Sequence, residues 1–122
     1  MKEAEYKVFY CNVELALDVM GGKWKPLIIY HVGGAGVIRF GELKRKIPNI
    51  NERVLSRQLK ELVEADLLAK KIYDEVPPRA EYSLKEAGEA LLPILKQLGS
   101  WGKDYQDEHQ YGEIYFEEEY DA

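Results

Sequence analysis

Asn51-Glu52-Arg53-Val54-Leu55-Ser56-Arg57-Gln58-Leu59-Lys60-Glu61-Leu62-Val63-Glu64-Ala65 carries the clearest periodicity in the chain. At about 100° per residue, Leu55, Leu59, Leu62 and Val63 fall on one side of a helix, and Arg53, Ser56, Arg57, Lys60 and Glu64 on the other. One face is built to pack; the other presents three cations and a small hydroxyl. Asn51 suits the N-cap, where its side-chain oxygen accepts from amides that lack an intrahelical partner. The spacing predicts a helix from about Glu52 to Ala65.

Working upstream, Pro48-Asn49-Ile50 forces a turn, because the residue before proline avoids helical backbone. Before it, Phe40, Leu43 and Ile47 recur at spacings of three and four, which predicts a short helix from Phe40 to Ile47. Val37-Ile38-Arg39 reads as a short strand. Lys23 to Val32 reads as a helix with Pro26 in its first turn, ended by the run Gly33-Gly34-Ala35-Gly36. Val13 to Met20 reads as a further short helix, broken at Gly21-Gly22.

Downstream, Leu68 to Tyr73 alternates like a strand, and Ala80-Glu81-Tyr82-Ser83-Leu84 alternates again. Asp74-Glu75-Val76-Pro77-Pro78-Arg79 between them is a turn with two stiff prolines, and Arg79 is expected at its tip. Lys85 to Tyr105 predicts a long amphipathic helix, with Leu91, Leu95, Leu98, Trp101 and Tyr105 as its stripe. Pro93 inside it either kinks the helix or resets its start. From Asp107 onward there are seven acids and no Lys or Arg. The expected division is residues 1–106 as one domain and 107–122 as an acidic aromatic tail, disordered or loosely packed.

The chain's 122 residues suit one globular domain. Its net charge of −5 looks wrong for a nucleic-acid binder, but the distribution reverses that impression. Lys23 to Lys85 carries thirteen Lys and Arg against eight Asp and Glu, a net of +5. The remainder carries four against fourteen, a net of −10. Charges more than about 10 Å away are largely screened, so a basic middle steers toward phosphate even in an acidic chain. No apolar run approaches a membrane span, and the charged N-terminus lacks the apolar core of a signal peptide. With one cysteine, Cys11, no intrachain disulfide is available, and the cytoplasm is the expected location.

The fold class expected is α+β, mostly helical. Two helices joined by a tight turn, the second with a cationic face, describe a helix-turn-helix. A β-hairpin directly after the second helix describes a wing. Such a second helix lies in the major groove of double-stranded DNA, its apolar side held by the domain.

Five strings, in order, carry a family resemblance. They are Cys11-Asn12-Val13-Glu14, Gly21-Gly22-Lys23-Trp24, Arg39-Phe40-Gly41-Glu42-Leu43, Leu55 through Leu59-Lys60-Glu61-Leu62, and Val76-Pro77-Pro78-Arg79-Ala80-Glu81-Tyr82-Ser83-Leu84. Over residues 11 to 105 the chain resembles the HxlR family of winged helix-turn-helix regulators, related to the MarR group. The resemblance implies a homodimeric transcription regulator on a pseudo-palindromic operator, with N- and C-terminal helices building the interface. The stripe Leu91, Leu95, Leu98, Trp101 and Tyr105 then belongs to that interface. Some relatives sense oxidants or electrophiles through an N-terminal cysteine, which makes Cys11 the residue to examine. Two departures stand out: Asn12 where the family usually has Pro, and Asp66 where it often has Gly.

Arg53 and Arg57 are the candidates for base readout, since bidentate Arg to guanine is the commonest specific contact. Ser56 joins them and Lys60 suits phosphate. Asn51 is a cap first and a DNA contact second. Arg79 either touches DNA or pairs with Glu75 or Glu81 across the hairpin. Arg39 either anchors phosphate or pairs with Glu42. Lys23 sits at a helix start, where a cation is unfavourable for the dipole unless a phosphate lies nearby. No Cys/His cluster has metal-ligand spacing and no nucleophile–base pair is visible, so no metal, cofactor or catalytic residue is expected, and no enzyme. A small-molecule or oxidant effector is left open. The competing function is a winged-helix module that binds protein without specific DNA binding.

Overall fold

The computed structural model describes residues 6–115. The order is α1 (Asn12–Met20), α2 (Trp24–Ala35), β1 (Val37–Arg39), α3 (Phe40–Lys46), α4 (Glu52–Glu64), β2 (Leu68–Tyr73), β3 (Arg79–Leu84) and α5 (Glu86–His109). The strands form one antiparallel sheet in the order β1-β3-β2. Ile38 opposes Tyr82 on one side of β3, and Lys70 opposes it on the other. The core lies where α2, α3 and α4 meet this sheet. Ile28, Ile29, Val32, Leu43, Leu55, Leu59, Leu62 and Leu68 are all sealed there. Each such side chain contributes roughly 1.5–3 kcal/mol by leaving water.

The decisive stretch folds as its period demands. Leu55, Leu59 and Leu62 are buried on α4, and the Asn51 side chain accepts from the amides of Arg53 at 2.8 Å and Val54 at 3.3 Å. Asn51→Ala removes that cap and should cost about 1 kcal/mol, read as a lower urea midpoint at unchanged slope.

Four expectations need correction or sharpening. The first concerns Gly33 and Gly34, which do not end α2: the helix continues to Ala35 and turns at Gly36, with φ of +83°. Gly33 is where α2 meets α5 and the sheet, since a Cβ there would come within 2.8 Å of Leu84 and Leu92 methyls. Close packing offsets the helix penalty of glycine, about 1 kcal/mol. The second concerns Pro93, which does not reset α5; the helix is continuous from Glu86. It also runs past Tyr105 to His109, so the acidic segment begins as helix. Residues 116–122 of that segment lie outside the described residues.

The third concerns the α5 stripe, which divides. Leu95 is 6% exposed in the protomer's own core and Leu91 packs against it. Leu98 and Trp101 stay outside, at 59% and 63% exposure. The first half of the stripe is used in the core, beside Leu92, which closes on Gly33 of α2. The fourth concerns the departure at Asp66, which sits at a position whose φ is +66°. Asp tolerates this left-handed backbone better than most residues, and its carboxylate receives Lys85 at 2.6 Å.

Candidate nucleic-acid interface

α3 and α4 are joined through Ile47, Pro48, Asn49, Ile50 and Asn51. Ile47 and Ile50 are buried, which fixes the angle between the helices. With its leucine face sealed, α4 can present only its opposite face. Arg53, Ser56, Arg57 and Lys60 are all exposed there. From Arg53 to Lys60 this face spans roughly 10 Å of helix. Among the described residues, no carboxylate pairs with Arg53, Arg57 or Lys60. Charged side chains held apart from acids on a rigid helix remain available to a polyanion.

The neighbouring cations differ in how free they are. Arg39 is exposed at the N-cap of α3, where its backbone amide donates to Glu42 at 3.2 Å. Its pairing with Glu42 is therefore through the backbone, and the guanidinium stays outside. Lys23 precedes α2 with its ammonium 4.5 Å above the Trp24 ring. Lys44, Arg45 and Lys46 close the last turn of α3. Reading the sequence did not single them out, although three consecutive cations were a visible signal. Lys44 donates to the Pro48 carbonyl at 2.9 Å, while Arg45 is exposed.

A half-buried pair was also missed: Lys25 on α2 meets Glu61 on α4 at 2.9 Å. It ties the exposed helix to the body of the domain. The partners are thirty-six positions apart, so no local pattern reveals it.

Arg79 is not at the loop tip. It begins β3 opposite Tyr73, at 27% side-chain exposure. Its guanidinium lies 3.1 Å from Glu75 and 3.6 Å from Glu81, and stacks 4.0 Å from the Tyr73 ring. The pairing across the hairpin is the geometry observed.

Cys11 is exposed at the N-cap of α1 with its backbone extended. Lys7 is turned away to Asp18 at 2.9 Å. His31 packs edge-on against Tyr30, and His109 stacks on Tyr105. Among the described residues, no three His, Cys, Asp or Glu side chains gather to hold a metal. Nor is any described helix long and apolar enough to cross a membrane.

A helix-turn-helix with an exposed cationic second helix, followed by a hairpin wing, defines a class of transcription regulators. The family model for HxlR-like helix-turn-helix proteins matches residues 19–110, and the chain belongs to that family. It is 45% identical over 111 residues to the helix-turn-helix-type transcriptional regulator YkvN of Bacillus subtilis, covering 91% of this chain and 92% of that one. Among solved structures it is similar to the redox regulator HypR in its reduced form, at 41% identity and a TM-score of 0.76 over 84% of this chain and all of that one. The oxidised form of HypR matches at 45% identity and a TM-score of 0.72, over 77% and 96% of the two chains. The chain is thus a winged helix-turn-helix transcriptional regulator.

Proposed function

We propose that this regulator binds an inverted-repeat operator as a homodimer, with one α4 in each of two successive major grooves. The observation that carries the reading is the exposed face Arg53, Ser56, Arg57 and Lys60, without carboxylate partners among the described residues, on a helix whose other side is sealed. Arg53, Ser56 and Arg57 face base edges, and Lys60 faces phosphate. Asn51 at the N-cap of α4, Arg39 at the N-cap of α3 and Lys23 ahead of α2 supply phosphate contacts.

The dimer reading rests on apolar surface that the protomer leaves uncovered. α1 has no buried residue, yet Val13, Leu15, Leu17 and Val19 are 40–67% exposed. Leu98, Trp101 and part of Tyr105 add to it on α5. Leu98, Trp101 and Tyr105 line a groove of about 1060 Å³ between α2, the second half of α5 and residues 111–114. Exposed apolar surface of this kind marks an interface, and a second protomer covers it. The dimer works in the cytoplasm, where double-stranded DNA is reached without crossing a membrane.

Selection from a random duplex pool tests the reading. Enrichment of an inverted repeat with half-sites about one helical turn apart is expected. A pool that stays random, with no DNA affinity even at low salt, would instead support a protein-binding module.

Oxidant is the signal proposed for release. Cys11 is accessible at the start of a helix that the dimer interface uses, and the relative HypR is a redox regulator known in two redox forms. Treatment with diamide should release wild-type protein from the selected duplex and leave Cys11→Ser bound, as read by mobility shift. Equal release of both would remove Cys11 from the response.

A further inference from the structure

The wing carries three acids, Asp74, Glu75 and Glu81, against three cations, Lys70, Lys71 and Arg79. Glu75 is the second residue of the loop that follows β2 and Glu81 lies in β3, both on the hairpin that would approach a DNA backbone. One side chain occupies both: Arg79 reaches Glu75 at 3.1 Å and Glu81 at 3.6 Å. The arrangement is reinforced by Tyr73. Its ring lies 4.0 Å beneath the guanidinium, and its hydroxyl donates to Glu81 at 3.0 Å. The register places Tyr73 directly opposite Arg79, so the stack is set by strand pairing. Lys71 approaches the same ring at 4.9 Å and stands opposite Glu81.

We propose that Arg79 is a positioning residue of the wing, neutralising Glu75 and Glu81 so that the hairpin can approach phosphate, and that it does not itself contact DNA. The inference rests on the DNA-binding reading above and assigns one residue a role within it. Three features support it. The guanidinium already has an ion pair to Glu75, a longer one to Glu81 and a ring face as partners, while its buried Nε makes no hydrogen bond among the described residues. It sits at the base of the loop, beside strand β2, with little exposure. Leaving those partners for a phosphate would take the cation from Glu75 and leave Glu81 with the Tyr73 hydroxyl and the facing Lys71, while the DNA polyanion repels both carboxylates.

A double-mutant cycle separates masking from contact. Affinity for the selected duplex is measured for wild type, Arg79→Ala, Glu75→Gln/Glu81→Gln, and the triple variant, over a range of salt. Masking predicts that Arg79→Ala weakens binding about tenfold when the glutamates are present. In the glutamine background the same substitution should change affinity by no more than about twofold. The salt slope in that background should stay the same. A direct phosphate contact predicts a loss at least as large in the glutamine background, with the slope falling by about 0.9. A purely structural role predicts a similar loss in both backgrounds. Either result, or no loss in either background, overturns the proposal. Wild-type protein that fails to bind any duplex at low salt would instead overturn the DNA-binding reading.

Discussion

Arg57→Ala should weaken binding to the selected duplex by about 5- to 150-fold and leave binding to random duplex within about threefold. The size follows from what one bidentate arginine–guanine pair contributes, about 1–3 kcal/mol. The selectivity follows from position. Arg57 lies on the exposed side of α4, one turn from Arg53 and next to Ser56, with the buried leucines behind. Arg53→Ala should behave in kind, and the two together should lower specific affinity to near the random-sequence level. Neither change should unfold the protein, since both side chains are exposed and unpaired among the described residues. Fluorescence anisotropy with both duplexes, alongside a urea titration, measures all three quantities. Equal losses on both duplexes would reassign Arg57 to phosphate.

Gly88→Ala should lower stability by roughly 2 kcal/mol, although alanine is the better helix former. Gly88 is buried in the first turn of α5, against the carbonyl oxygen of Leu67. An added Cβ would overlap that oxygen and press on a Leu84 methyl at 3.3 Å. The Leu67 carbonyl cannot retreat freely, because it already accepts from the Lys85 amide at 3.0 Å. Overpacking of this kind costs about 3 kcal/mol, against about 1 kcal/mol gained in helix propensity. The fall in melting temperature should be about 8 °C. A neutral or stabilising result would mean that α5 can lift away from the α4–β2 turn.

The recognition helix was legible because its evidence is local. Leucines three and four apart, a capping Asn51 and cations on the other face all lie within fifteen residues. The hairpin was legible for the same reason, through alternation on either side of Pro77 and Pro78. What escaped was set by contacts distant in sequence. Gly33 read as a stop because nothing nearby discloses Leu84 and Leu92 pressing on it. Leu95 read as part of one stripe with Trp101, since periodicity cannot say where the core ends along α5. Arg79 could be narrowed to two readings, and choosing between them needed the hairpin register. The net charge of −5 was the most misleading single number, and the charge distribution corrected it before any coordinates did.

In the proposed binding mode, α4 of each protomer lies in a major groove and reads guanine through its exposed face. Guanine N7 faces the major groove, so its methylation by dimethyl sulfate on the selected duplex reports that contact directly. Two protected patches about one helical turn apart are expected, with protection at the contacted guanines lost in Arg57→Ala. Unprotected N7 positions on a duplex that the protein demonstrably occupies would contradict it.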